Sequence, residues 1–210
     1  EASFVDPASG PDSLVTVDDN YLRIRAQPRP AGDVGGWGQR FYGGSLSSMA
    51  VGGAGFAAQY GYFEARMLGA PGPGAWSAFW LLDSEDATSR GEITGEIDIV
   101  ELYGHETIGG CFSLHNYVDG EDVDDVVDCS SNTGFHDWAM QWHNYGARVS
   151  PGSVTYYIDG VEVAQASGLR SHRLPYYFMT NLALGGGWPI QLDATAGTAD
   201  LYVDWIRVYT

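Results

Sequence analysis

Lysine is missing from this chain: all ten basic residues are arginine, set against 27 aspartates and glutamates, for a formal charge of −17 at pH 7. Nucleic acids and anionic membranes both require a basic footprint, so neither is expected as a partner. The charge argues less strongly against anionic polysaccharides, where a local arginine cluster can override the mean field, and it fits a neutral polysaccharide best. Long apolar runs are missing too; no stretch approaches the roughly 18 consecutive apolar residues of a membrane-spanning helix. Glu1 does not open a leader peptide, so a secreted chain is expected to have lost its leader already. Cysteine is scarce, with only Cys111 and Cys129, which flank a polar loop holding Asp119, Gly120, Glu121, Asp122, Asp124 and Asp125. In an oxidising compartment a bridge there would pin a loop that repels itself; the alternative is two unrelated buried thiols.

What is present points to one domain over residues 1–210, rich in short strands: 29 glycines, 13% aromatic residues and few helix-favouring runs. Alternation predicts a first hairpin from Ser13–Val17 and Tyr21–Ala26, then strands at Phe41–Ala50, Tyr60–Leu68 and Ala75–Leu82. Later strands are expected at Gly110–Val118, Phe135–His143, Val154–Ile158, Val161–Gln165, Tyr176–Leu184 and Leu201–Tyr209. Asp159-Gly160 is a two-residue hairpin signal of type I′. A dozen short strands with frequent turns imply an all-β, antiparallel two-sheet sandwich whose concave face can hold an extended ligand.

The segment Gly95–Glu101, Gly-Glu-Ile-Asp-Ile-Val-Glu, carries the chemistry. Glu96 and Asp98 share one face of a regular strand, but Glu101 falls on the other because side chains alternate with period two. A β-bulge between Asp98 and Glu101 would add one residue and bring all three acids to the same side. Like charges crowded on one face are costly, so a purely structural strand avoids the pattern. Two glutamates around a shorter aspartate suit retaining glycoside hydrolysis, which needs a nucleophile and an acid/base held about 5 Å apart. Asp98 would supply the asymmetry that separates their proton affinities. The alternative is an exposed acidic strand on a solvated face.

Aromatic rings suit sugar binding, because apolar sugar faces stack on them while hydroxyls reach polar edges. Parity puts Trp76 and Trp80 on one face, opposite Ser77, Phe79 and Leu81; Trp138 and Trp142 share another. Each has a core alternative, whereas Trp188 sits in a glycine-rich loop and is expected to be exposed.

Over nearly its whole length the chain resembles glycoside hydrolase family 16, the laminarinase and lichenase family of β-jelly-roll enzymes. The resemblance rests on Tyr60–Met67, Trp76–Leu82, Glu96–Glu101, Phe135–Trp138, Tyr157–Gly160, Asn181–Gly186 and Tyr202–Tyr209, seven motifs in the family's order. It implies a β-jelly roll and an endo-acting retaining glycosidase on β-1,3- or mixed-linkage β-1,3-1,4-glucan, with Glu96 as nucleophile, Asp98 as its electrostatic partner and Glu101 as general acid/base. It further implies that Glu64, Arg66 and Trp80 line the donor side of the cleft and that His115 lies beyond the acid/base. His105, His136, His143 and His172 are left as structural or surface residues. No cofactor is expected for catalysis, but a structural calcium at Asp204, with backbone carbonyls near Gly43 or Gly44, is implied. The chain departs from the laminarinase pattern at Ile93-Thr94-Gly95, where a tryptophan usually stands. A β-galactan hydrolase, a transglycosylase and a non-catalytic glycan-binding domain therefore stay open as alternatives. The molecule is expected to act as a secreted monomer.

Overall fold

Two sheets carry nearly all of the ordered backbone in a computed structural model that describes residues 2–5, 10–12, 14–85, 93–105, 110–130, 141–170 and 174–210, with backbone alone at 124–126, 130 and 195. The larger sheet runs β1 (Ala2–Phe4), β4 (Phe41–Gly43), β3 (Tyr21–Pro28), β15 (Ala199–Tyr209), β6 (Gly61–Leu68), β11 (His143–Ser150), β12 (Ser153–Ile158) and β13 (Val161–Ser167). A further strand, β2 (Val15–Asp18), pairs with β3. The smaller sheet runs β10 (Glu121–Ser130), β9 (Gly110–Val118), β8 (Ile93–Tyr103), β7 (Ala75–Asp83), β14 (Tyr176–Leu184) and β5 (Ser45–Ser47). Among these pairings only β1 with β4 is parallel.

One buried cluster draws on both sheets. Phe63, Met67, Tyr145, Ile158 and Leu201 from the larger meet Phe79, Leu81, Ile97, Phe112 and Leu182 from the smaller. Each large apolar side chain so buried contributes about 1.5–3 kcal/mol relative to exposure. The expected sandwich is therefore what forms.

Turn chemistry follows the sequence closely. The hairpin Asp159-Gly160 has φ of 50° and 77°, as a type I′ turn requires, and Asp19-Asn20 closes the first hairpin in the same way with 48° and 73°.

Three expectations are corrected. Phe41–Ala50 is not one strand but β4 and β5, which belong to different sheets. The chain changes sheet at Gly44, whose N–H donates to Arg25 O in the larger sheet and whose carbonyl accepts from Leu182 N in the smaller. A Cβ at Gly44 would sit 2.6 Å from Leu14 O and 2.7 Å from Ile24 Cγ2, so only glycine fits the crossing. The acidic segment after Asp119 is not a loop: β10 pairs with β9 from Glu121 to Ser130. An edge strand tolerates charges that a central one would not, because one side faces water. Residues 144–150, unassigned from sequence, complete β11, where Tyr145, Ala147 and Val149 alternate into the core. Of the expected strand Phe135–His143, residues 135–140 lie outside the described residues, as do Trp138, His136 and His172.

The bridge Cys111–Cys129 does form. These residues face each other across β9 and β10, so the bridge fastens the acidic edge strand to the sheet. The closed loop is 18 residues long, for which loop-closure entropy gives about 3 kcal/mol. Replacing both cysteines by serine should lower the melting temperature by about 6–12 °C in a chain of this size. An unchanged melting curve would show that the edge holds without it.

Candidate active site

Asp98 pairs with Ser113 of β9 and Glu101 with Cys111, so three residues on β8 span two on its neighbour. On the other flank Asp98 faces Trp80 while Val100 faces Phe79, so the extra residue is Ile99. Ile97, Ile99 and Val100 are all fully buried. The bulge thus turns two consecutive apolar residues into the core and returns Glu101 to the outer face beside Glu96 and Asp98. The phase correction demanded by the sequence is met at the expected place.

Register then builds the floor of the site row by row. Glu101 is flanked by Ala78 and Cys111, Asp98 by Trp80 and Ser113, and Glu96 by Leu82 and His115. A cavity of about 200 Å³ is lined by all three acids with Phe4, Trp76, Ala78, Trp80, Asn181 and Ala183. Trp76 Nε1–H donates to Glu101 Oε1 at 2.8 Å. Trp80 Nε1–H donates to Asn181 Oδ1 at 2.7 Å, which fixes the indole on the cavity wall. His115 bridges two aspartates, with Nε2 3.2 Å from Asp98 Oδ2 and Nδ1 2.9 Å from Asp122 Oδ2.

The electrostatics follow from this crowding. Burial first, and the Asp98 charge second, push the Glu96 carboxyl up to about 8, with His115 pulling the other way. The same two causes raise Glu101 to about 7 against the hydrogen bond from Trp76. His115 rises to about 10, chiefly through its hydrogen bond to Asp98, so its ring is an imidazolium through the neutral range. The site therefore holds two glutamates poised to exchange protons near neutrality, beside a fixed positive charge.

Donor atoms of Glu96, Asp98 and His115 lie within 4.8 Å of one another, a spacing that could hold a cation. An imidazolium has no lone pair to offer, however, and His115 is already committed to Asp98 and Asp122.

Other expected site residues stand elsewhere. Phe63, Ala65 and Met67 of β6 fill the core, so Glu64 and Arg66 face outward from the larger sheet, away from the acids. Glu64 accepts from Tyr62 Oη at 3.1 Å, and Arg66 pairs with Asp204 at 2.8 Å while stacking over Trp142. Their placement on the donor side of the cleft is corrected: β6 belongs to the other sheet, and its parity points them the wrong way. The calcium set does not fit either. Asp204 is held by Arg66, and register places Gly43 opposite Ala26 and Ala26 opposite Ala199. Five residues of strand then separate Gly43 from the level of Asp204, about 17 Å at the rise of a strand. Trp188 is half exposed and packs against His105, with ring centroids 4.3 Å apart. His143 is a structural partner of Asp159, at 2.7 Å.

Phe4, Asn181 and Asp122 join the site without having been expected there. The acidic run pointed at Asp122, and the Asn181 motif was visible, but only pairing of β14 with β7 and of β10 with β9 brings them to the acids. Nothing local in the sequence marks Phe4.

Comparison with known proteins agrees with this geometry. The chain is 27% identical over 213 residues to the endo-1,3-1,4-beta-glycanase EglC of Rhizobium meliloti, covering 99% of this chain and 42% of that enzyme. It is 33% identical over 141 residues to the kappa-carrageenase of Pseudoalteromonas carrageenovora, covering 61% of this chain and 34% of the relative. The chain thus spans less than half the length of these curated relatives. The laminarinase catalytic domain of Thermotoga maritima superposes with a TM-score of 0.77 at 24% identity, over 95% of this chain and 81% of that one, and shares the jelly-roll fold. Residues 11–207 match the model of glycosyl hydrolases family 16, and by that match over nearly its full length the chain belongs to this family.

Proposed function

We propose that this chain is an endo-acting retaining glycosidase that cleaves β-1,3- or mixed-linkage β-1,3-1,4-glucan by double displacement. The observation that carries the proposal is the Ile99 bulge, which puts two glutamates and an intervening aspartate on one outer face, in one cavity. Relatives named for endo-1,3-1,4-beta-glycanase activity support the linkage.

In the first step Glu101, as a carboxylic acid, gives its proton to the glycosidic oxygen. Glu96, as a carboxylate, attacks the anomeric carbon; the leaving chain departs as an alcohol, and a glycosyl ester forms on Glu96. In the second step Glu101, now a carboxylate, takes a proton from water as that water attacks the anomeric carbon and breaks its bond to Glu96, which leaves as a carboxylate. Two inversions give net retention.

In the free site burial and the Asp98 charge raise both glutamates, whereas the first step needs Glu96 ionised. Positive charge developing on the sugar ring favours an ionised carboxylate beneath it, and the imidazolium of His115 lowers Glu96 directly. His115 therefore acts as a positioning residue, through Asp98 and Glu96. Replacing His115 by asparagine removes that charge and raises Glu96 further. The acid limb of the kcat/KM profile should move to higher pH, with about a tenfold loss at pH 6 and less at pH 8. A uniform loss across pH would mean a purely structural role.

A second reading, hydrolysis of a β-galactan by the same three acids, is favoured by Ile93-Thr94 in place of a stacking tryptophan at the start of β8. Its support among relatives is a keratan-sulfate endo-1,4-beta-galactosidase, 26% identical over 182 residues. Incubation with laminarin, barley glucan and galactans, with products read by mass, separates the two. Oligosaccharides from the glucans support the first reading, and cleavage confined to a galactan supports the second. The Cys111–Cys129 bridge supports action in an oxidising, extracellular compartment.

A further inference from the structure

Beyond the acid cavity lies a second one of about 840 Å³, lined by Pro28, Gly38, Arg40, Phe41, Trp188, Pro189 and their neighbours. The two are adjacent. Gly186 packs on the Trp76 ring, where a Cβ would lie 2.7 Å from Cε3, and Trp76 lines the acid cavity. A file of rings joins them: Trp76 to Tyr103 at 5.9 Å, Tyr103 to His105 at 6.1 Å and His105 to Trp188 at 4.3 Å.

The lining of this cavity is unlike the rest of the molecule. The chain has 27 carboxylates, yet among the described residues none lines it. Arg40 does, and it makes no ion pair or side-chain hydrogen bond among the described residues, whereas Arg23, Arg25, Arg29 and Arg66 are each paired to an aspartate. Gly187, at φ 88°, forms another part of the wall, and its N–H finds no acceptor among the described residues. A guanidinium fork, a backbone donor and a half-exposed indole, with no anionic acceptor among the described residues, suit an oxyanion carried on a sugar ring.

We propose that this cavity binds a sugar residue bearing an anionic substituent, a sulfate ester or a carboxylate, with Arg40 as the residue that selects it. The inference rests on the glycosidase reading and narrows its substrate to a chain with sparse negative groups. A charge of −17 repels a dense polyanion at long range, but a single charge delivered to Arg40 is bound locally. The ring file places Trp188 beyond the sugar at the cleavage point, so the substituent belongs to a neighbouring residue of the chain.

The test compares barley glucan and laminarin with lightly sulfated and lightly carboxymethylated forms of each, on the wild type and Arg40→Ala. The quantity read is the ratio of kcat/KM on the charged form to that on the neutral one. Arg40→Ala should lower this ratio about tenfold, the effect of one charge-assisted hydrogen bond open to solvent, and Arg40→Lys should restore part of it. A response to only one of the two substituents identifies which oxyanion is taken. An unchanged ratio for both overturns the proposal, whether the variant loses activity equally on all polymers or on none. If the wild type hydrolyses none of them, the glucanase reading fails separately. The Arg40 claim is then decided by the same ratio in dissociation constants, measured by calorimetry with oligosaccharides on Glu96→Gln and on Glu96→Gln/Arg40→Ala.

Discussion

Glu96→Gln is expected to lower kcat on glucan by about 10⁴-fold or more while leaving substrate binding in place. Glutamine keeps the shape of the side chain but has no anionic oxygen to form the glycosyl ester. Binding is carried by the walls of the cavity, Trp76, Trp80 and Asn181, which the substitution does not touch. The fold should gain rather than lose. Glu96 is raised from its ordinary 4.5 to about 8, so the folded chain holds a proton that the unfolded chain releases between those values. Stability falls through that window as pH rises, and the neutral amide removes the dependence. The melting temperature of Glu96→Gln should therefore match the wild type near pH 4 and exceed it by a few degrees, on the order of 2–4 °C, at pH 8. Calorimetric binding and thermal scans check both halves. Retained turnover would remove Glu96 from the nucleophile's place.

The second large effect is expected at Glu101. Glu101→Gln cannot protonate the glycosidic oxygen, so hydrolysis of the polysaccharide should fall about 10³-fold, within the range for loss of a general acid. An aryl glycoside whose leaving group departs unprotonated should be affected far less in the first step. The pH profile gives an independent sign. The acid form of Glu101 is the active one and burial raises its carboxyl to about 7, so the wild-type profile should carry a basic limb above neutrality. The variant should show no such limb. Azide, which needs no general base, should accelerate the variant and yield a β-glycosyl azide. An equal loss on both kinds of substrate, with the basic limb intact, would assign proton transfer to another group.

Much of this site is legible in the sequence, and the reason is local. Glu96, Asp98 and Glu101 lie within six residues, so period-two parity alone demanded a bulge, and Ile99 supplies it. The hairpin at Asp159-Gly160 and the shared face of Trp76 and Trp80 were readable for the same reason. What failed depended on strand neighbours. Glu64 and Arg66 alternate as well as any strand residues, but parity cannot say which sheet a strand joins, and β6 joins the larger one. Phe41–Ala50 read as one strand because a sheet crossing at Gly44 leaves no break in apolar character. The acids of β10 disguised a strand that is tolerated only at an edge and is fastened by Cys111–Cys129. Arg40 drew no notice in sequence because its lack of an acidic partner among the described residues is a matter of spatial neighbours, not of local sequence.

The central claim is that Glu96 and Glu101 act from one face in two successive displacements. It is tested most directly by following the anomer released first from laminarin or barley glucan by proton NMR. The account predicts the β-anomer at the outset, with the α-anomer growing in only at the rate of mutarotation. An α-anomer formed first would mean a single displacement by water, and would contradict the roles assigned to both glutamates.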